Sequence, residues 1–491
     1  MDSKIKVRLS LYGLISAISY IFLILTPRPG ISIPIFIIVQ VVSIFLIVRN
    51  REEVKNKKGI LVMLPIFILS LNNFISGSNL WWGVNYFVII ILYSVMILMF
   101  NDKLTLQKLN LEHGFHIIVN IFKPFVNFKV PFKWCTANSK NESKRLLAGR
   151  IIIGVLISIP CVIFLIMMLS SADMIFYESS VSLSSWITSL FDFIYVYKFI
   201  IGTIAGLYLF GHLYSLFVEK EINHSIKPLS DLFSKKLKGD VIISNILLVS
   251  ILLVYTIFIG IQFKYLFAEG NLPYGLNYSE YARRGFFELV FLSVLNIALI
   301  LMTTYLLKEK IYVEKCKWAQ LTKSMMIYLC ILTGIMLISS FYRMMLYDNE
   351  YGFTRLRILV YLFLIFEALG LAATLIYIIK HNFNILAIYS TIGLIYYLTL
   401  NVIQIDNIIA KRNIDMYFAG QTETIDMNYL MSLSIDAAPQ IMRLLSSDVE
   451  IITKTNARIY LDEMNSLYND DVSWRSYNLS IDKTRKLLNE N

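Results

Sequence analysis

Glu367 is the residue whose type and position most demand a chemical reason. It stands near the midpoint of the apolar run 358–379. In lipid a charge at such a depth costs about 3 kcal/mol on insertion scales. A carboxyl group there either finds a partner or serves as a proton or substrate site. Gly370 and Thr374 share its helical face at steps of three and four, so that face is expected to meet another helix. Arg343, near the outer end of the preceding run, is the expected partner, and Glu367 with Arg343 forms the candidate intramembrane pair. The structural alternative is an ion pair of no further use, or a protonated acid bonded to a neighbour.

A second constellation comprises Asp173, Glu280, Arg283, Arg284, Glu288, Arg355 and Arg357. Guanidinium forks suit phosphate and carboxylate, so these residues are the candidate outer-face binding cluster. The competing expectation is mutual salt bridging of the arginines with Asp173, Glu280, Glu288, Asp348 and Glu350. Tyr278, Tyr281, Tyr342, Tyr347 and Tyr351 read as an interfacial belt. His113 and His116 stand three apart with no acidic motif beside them, so no metal site and no cofactor are expected. Cys135, Cys161, Cys316 and Cys330 show no metal spacing or disulfide framework. Phosphate-binding glycine loops, kinase signatures and GxSxG are missing from the sequence. The chain is therefore expected to be a binding protein more readily than an enzyme.

What must position these residues is a membrane bundle. Of 491 residues 57% are hydrophobic and 16% charged, against about 45–50% and about 25% in soluble domains. A helix crossing a hydrocarbon core of about 30 Å needs about 20 apolar residues. Eleven runs qualify: 9–25, 31–48, 60–76, 80–100, 151–169, 196–217, 241–262, 287–307, 324–346, 358–379 and 385–403. Each must be a helix because lipid offers its amides no other partner. The first follows Lys4, Lys6 and Arg8 and precedes Thr26-Pro27-Arg28-Pro29, so it is expected to be a retained span and not a cleaved signal.

With the N-terminus inside, 28 of the 45 Lys and Arg fall in inner connections and 8 in outer ones. That asymmetry orients the chain. The net charge of +11 is then a product of topology, with attraction to anionic inner-leaflet lipid and no nucleic-acid partner. The tail after residue 403 holds nine basic and thirteen acidic residues and is expected outside.

The expected architecture is all-α: a polytopic bundle of about eleven spans with a small extracytoplasmic helical domain at the C-terminus. Residues 1–100 supply four spans, 101–149 a basic cytoplasmic loop, 150–403 the remaining spans and 404–491 the tail. In the loop, Phe115, Ile118, Phe122, Phe125 and Phe128 recur at helical spacing between Lys123 and Lys129, as in a helix lying flat on the membrane, with a re-entrant segment as the alternative. Asn277 and Glu280 form a capping box that predicts a helix starting near Tyr278. Ile451, Ile452, Ile459, Leu461 and Leu467 predict a helix in the tail.

The stretches SADMIF (171–176), YSEYARRGFFEL (278–289), RMMLYDNEYGFTRLR (343–357), DNIIAKRN (406–413) and YLMSLSIDAAP (429–439) together resemble an uncharacterised bacterial family of multi-pass membrane proteins, domain of unknown function 4173, related to the 4153 group. The resemblance covers roughly residues 150–490, and Met174 stands where relatives carry proline. It implies a multi-pass protein of the cell envelope and no activity. Three functions stay open: recognition of a lipid, wall component or protein partner at the outer face; ion-coupled transport using Glu367 with Arg343; and transfer chemistry on lipid-linked substrates, for which Asp173 is the candidate acid.

Overall fold

The computed structural model describes residues 3–49, 54, 56–105, 107, 109–136, 193–218, 239–262, 286–468 and 473–490, with isolated positions between 158 and 178. Every regular element among them is helical. In chain order the principal helices are α1 (Ser3–Ser19, continued by a wider turn Tyr20–Ile24), α2 (Ser32–Val48), α3 (Met63–Ile75), α4 (Trp82–Phe100), α5 (Leu111–Val126), α6 (Lys129–Thr136), α7 (Phe193–Val218), α8 (Val241–Gln262), α9 (Phe286–Leu306), α10 (Lys317–Tyr351), α11 (Arg355–Lys380) and α12 (Ile385–Val402). The tail adds α13 (Ile405–Phe418), α14 (Met427–Met431), α15 (Ala438–Ile441), α16 (Ile451–Tyr468) and α17 (Leu479–Glu490).

Among the described residues nine helices are long and apolar enough to cross a membrane. They correspond to nine of the eleven expected runs. The run at 31–48 forms a helix of 17 residues, shorter than those nine. The span expected at 151–169 lies outside the described residues except for isolated positions, and the helix start expected near Tyr278 lies wholly outside them. Exposed apolar side chains are abundant on these helices, Ile243 at 69% and Leu253 at 59% for instance. Water would not tolerate so much oil, whereas lipid would.

Two compact units partition the chain. The first takes residues 1–63, 90–102 and 116–223. Its tightest crossing is α1 on α7, where a side-chain carbon added at Gly206 would stand 2.6 Å from both the Ala17 methyl and the Gly13 carbonyl oxygen. Small residues four apart on both helices (Gly13 and Ala17, Gly202 and Gly206) let the backbones approach. Polar groups are also buried here: the Tyr12 and Tyr93 hydroxyls lie 2.6 Å apart, and Ser16 donates to Gln40 at 3.1 Å.

The second unit takes residues 64–89, 103–115 and 224–491. Leu248, Leu252, Ile297, Ile300, Met326, Leu329, Met336 and Leu371 form its intramembrane core across α8 to α11. A second core gathers Ile409, Ile414, Leu430, Leu433, Ile441, Tyr460 and Leu461 of the tail, and Phe353, Ile358 and Leu359 from the α10–α11 connection pack against it. The tail thus belongs to the same compact unit as the helices it follows.

Candidate functional site

Two sets of buried polar groups occupy the second unit, one within the helices and one where the tail meets them. Within the helices, α11 carries Glu367 inward, 8% exposed. Ser293 of α9 lies with its hydroxyl oxygen 2.5 Å from Glu367 Oε1 and 2.7 Å from the Val290 carbonyl. The back-bond to the preceding turn is the usual habit of a helical serine. One hydroxyl has one proton. That single proton is shared between the Val290 carbonyl and Glu367 Oε1, both of which accept from Ser293. Glu367 Oε2 is buried without a hydrogen-bond partner.

One turn further along α9, Asn296 donates to Thr333 of α10 at 3.1 Å and accepts from Tyr255 of α8 at 3.0 Å. Thr374, about two turns beyond Glu367 on α11, lies 2.7 Å from the Tyr389 hydroxyl of α12. A seam of hydroxyl, amide and carboxyl groups therefore links five helices through otherwise apolar contacts. Its Gly370 is required for close approach, since a side chain there would press on the Tyr389 ring at 2.9 Å.

Arg343 does not join Glu367. It is buried, 5% exposed, and lines a cavity of about 220 Å³ with Phe286, Met344, Tyr347 and Arg357. Counting back from the end of α10 sets Arg343 level with about residue 363 of antiparallel α11. Glu367 then lies four residues, or about 6 Å, deeper.

The described arginines of the expected outer cluster, Arg355 and Arg357, are paired. Arg355, first residue of α11, grips Asp406 of α13 through Nε at 2.6 Å and Nη2 at 2.7 Å. Asp406 also accepts the Ser434 amide at 2.9 Å. Burial pushes the Asp406 carboxyl up, but the Arg355 guanidinium and the Ser434 amide overcome this and hold it below the usual carboxylate range. Arg357 pairs with Asp348 at 3.3 Å and lies over the Tyr347 ring at 4.2 Å. Salt bridging to Asp348 agrees with the structural expectation; Asp406 was not foreseen. Glu288 is exposed on the first turn of α9, and Asp173 accepts the Phe176 amide at 2.8 Å as a local cap. Glu280, Arg283 and Arg284 lie outside the described residues.

More of the tail's grip comes from backbone groups. Gly352 ends α10 at φ 72°, a left-handed conformation that favours glycine. Just beyond it, Asn413 of α13 accepts the Phe353 amide at 2.6 Å and donates to the Phe353 carbonyl at 3.0 Å. Thr354 makes no side-chain cap for α11; the Tyr429 hydroxyl instead accepts the Arg355 amide at 2.8 Å. On the α3–α4 connection, Gln404 donates to the Ile75 carbonyl at 2.8 Å, Asn478 donates to the Asn73 and Ser76 carbonyls at 2.8 Å each, and Asp436 accepts the Gly77 amide at 2.6 Å and the Ser76 hydroxyl. Burial raises the Asp436 carboxyl above its ordinary value, and those hydrogen bonds only partly offset the rise. Gly77 has no room for a side chain because a carbon there would collide with Ile435.

These contacts explain why DNIIAKRN and SIDAAP stand out in the sequence: Asp406, Asn413 and Asp436 are their polar anchors. Residues 61–444 match the family described as a domain of unknown function, DUF4153. The chain belongs to this family. The matched group is thus the 4153 relative of the expected 4173 one, and the match begins well before residue 150, taking in α3 and α4. No curated protein and no solved structure matches the chain. Its apolar helices make this DUF4153 chain an integral membrane protein.

A cleft of about 1080 Å³ completes the tail side of the site. Leu346, Asn349, Tyr351 and Gly352 at the end of α10 form one wall, and Asn413, Gln421, Thr422, Glu423, Thr424 and Asp426 are among the tail residues of the other. Carboxylate, amide and hydroxyl groups line it, with no lysine or arginine among the lining residues.

Proposed function

We propose that this DUF4153 protein is a membrane-embedded recognition protein whose ligand binds the cleft between the α10–α11 turn and the tail. The cleft's lining carries the reading. Glu423 and Asp426 with neighbouring amides and hydroxyls suit a polar ligand that is uncharged or cationic, such as a sugar or an amine-bearing peptide. Arg355 and Arg357 are engaged by Asp406 and Asp348, which favours the cleft over these two arginines as the ligand site.

The cleft is assigned to the extracytoplasmic face and the N-terminus to the cytoplasm. The tail's bonds to residues 73–77 and to 353–355 support a common face for these connections. Opposite them, Asn384 donates to the Leu109 carbonyl at 2.6 Å and Lys310 to the Gly239 carbonyl at 3.2 Å, which groups the lysine-rich connections. Five described candidate spans lie between residues 82 and 349. Returning to one face takes an even number, and the sequence expectation of a span at 151–169 meets that requirement.

Ion-coupled transport is the second reading, favoured by one observation: Glu367 is buried with Oε2 unpartnered. It would act with Ser293 in place of Arg343.

Saturation-transfer NMR on the full chain in lipid nanodiscs tests the cleft, with an uncharged tetrasaccharide, a trilysine peptide and inorganic phosphate as probes. Transfer to the sugar or the peptide, abolished by Glu423→Arg, is the expected result. Transfer to phosphate alone, or transfer insensitive to Glu423→Arg, overturns the reading.

A further inference from the structure

We infer that the consecutive helices α5 and α6 are sunk into one leaflet of the bilayer, with their apolar arc against lipid chains and their lysines toward anionic headgroups. Phe115, Ile118, Phe122, Phe125 and Val126 of α5 are 39–64% exposed, and Phe132 of α6 is 60% exposed. On a helical projection the five α5 residues fall within one arc of about 120°. Polar and backbone groups occupy the other side. Asn120 is 4% exposed and donates to the Ser94 carbonyl at 3.1 Å, and the Tyr208 hydroxyl donates to the Ile121 carbonyl at 3.0 Å. This is the reverse of a water-soluble amphipathic helix, which turns its apolar face to the protein.

The anchors also fix the depth. Ser94 is six residues from the end of α4, and Gly211, whose carbonyl accepts from Asn127 at 3.0 Å, is seven from the end of α7. At 1.5 Å per residue both lie roughly 10 Å inside their helix ends. Interfacial amphipathic helices bury their apolar faces about 5–10 Å into the headgroup–acyl boundary, so the pair sits where such helices sit and somewhat deeper than a helix resting on the surface.

Close packing keeps it there. A side chain at Gly211 would stand 2.6 Å from the Pro124 carbonyl oxygen, so α5 and α7 touch backbone to backbone. Trp134 of α6 packs edge-on against Phe210 and Tyr214, each with ring centres 5.6 Å apart. Lys129 and Lys133 are exposed on α6 and flank Phe132, which gives the cationic rim that an anionic leaflet attracts.

Spin labels test the inference on the full chain, freed of its native cysteines and placed in nanodiscs containing phosphatidylglycerol. Single cysteines go at positions 118, 122 and 132, with position 116 as the reference beside the arc. Collision with a water-soluble nickel chelate is expected to be about fivefold lower at the arc positions than at 116, with oxygen collision high, as for chains in hydrocarbon. Equal nickel access at all four would put the arc in water. Low access to both nickel and oxygen would put it under protein. Either result overturns the proposal. In the otherwise native chain, Lys129→Glu with Lys133→Glu should lower co-purified phosphatidylglycerol, read by native mass spectrometry, by about half; unchanged lipid overturns the headgroup assignment.

Discussion

Asp406→Asn should release the tail from α11, and Asp436→Asn should not. The two carboxylates look alike in a sequence, yet Asp406 faces a bidentate guanidinium and Asp436 faces only neutral donors. Removing one member of a buried ion pair costs about 3–5 kcal/mol. Arg355 keeps about a third of its side chain in solvent, 32% by exposure, so water recovers part of that cost and about 2–3 kcal/mol remains. At about 1.4 kcal/mol per decade the fraction of tail opened rises by about 30- to 150-fold. Asn at 436 keeps an acceptor for the Gly77 amide and removes a charge that burial opposes, so its effect is expected within about 1 kcal/mol.

Hydrogen–deuterium exchange of residues 405–445 in the full chain, held in nanodiscs, reads both changes as protection factors. Replacing Arg355 and Asp406 together by Met and Leu should recover most of the protection, because no buried charge is then left alone. The pH dependence has a definite sign. Asp406 titrates lower folded than unfolded, so its contribution is complete above about pH 4 and fades as pH falls through the folded value. Asp436 titrates higher when folded, so its charge weakens docking as pH rises from about 4 through that value, a loss that Asp436→Asn removes. Exchange in Asp406→Asn equal to wild type, or Asp436→Asn as exposed as Asp406→Asn, refutes the assignment.

Three further outcomes follow. Glu367→Gln keeps the acceptor for Ser293 without a charge and should change thermal stability by less than about 1 kcal/mol, whereas Glu367→Lys should lose about 3 kcal/mol or more, measured by unfolding in detergent. Gly206→Leu forces α1 and α7 apart and should cost about 1–3 kcal/mol in the same assay, with loss of a cysteine crosslink engineered between the two helices. Single cysteines replacing Asn349 and Glu423 should react with an impermeant maleimide on whole cells, while those replacing Lys315 and Lys380 should react only after lysis; the opposite pattern reverses the assigned orientation.

Why some features were legible and others not is a matter of distance along the chain. The nine long helices among the described residues follow from apolar run length alone, since lipid leaves a backbone no alternative to internal hydrogen bonding. Even there the ends shift: 324–346 was expected from hydropathy, but α10 runs from Lys317 to Tyr351 because polar turns at a membrane surface continue a helix as readily as they end it. The Arg355–Asp406 pair joins residues 51 apart, so charge type was visible and partner was not. Arg357 and Asp348 lie nine apart across one turn, and their pairing could be foreseen. Gly13, Ala17, Gly202 and Gly206 were equally present in the sequence, but small residues specify a crossing only once both helices are known to meet. Ser293 gave no signal at all, being one serine among many in apolar helices.

The compensation of each buried carboxyl separates structural charge from chemistry still available. Asp406 has a guanidinium and an amide, Asp436 has the Ser76 hydroxyl and the Gly77 amide, and Asp348, whose oxygens are buried without a hydrogen bond, has the Arg357 cation beside it. Each ties the tail or its neighbouring turn to the helices, and a substitution there reports on docking. Glu367 differs in having no cation paired with it among the described residues. It sits in the hydrocarbon interior with one hydroxyl contact and one oxygen unpartnered, so it gains little as a structural tie while costing as much as any charge in lipid when ionised. The cleft proposed for recognition and the buried acid are separate features of one unit, and variants at Glu423 and Glu367 should perturb them independently.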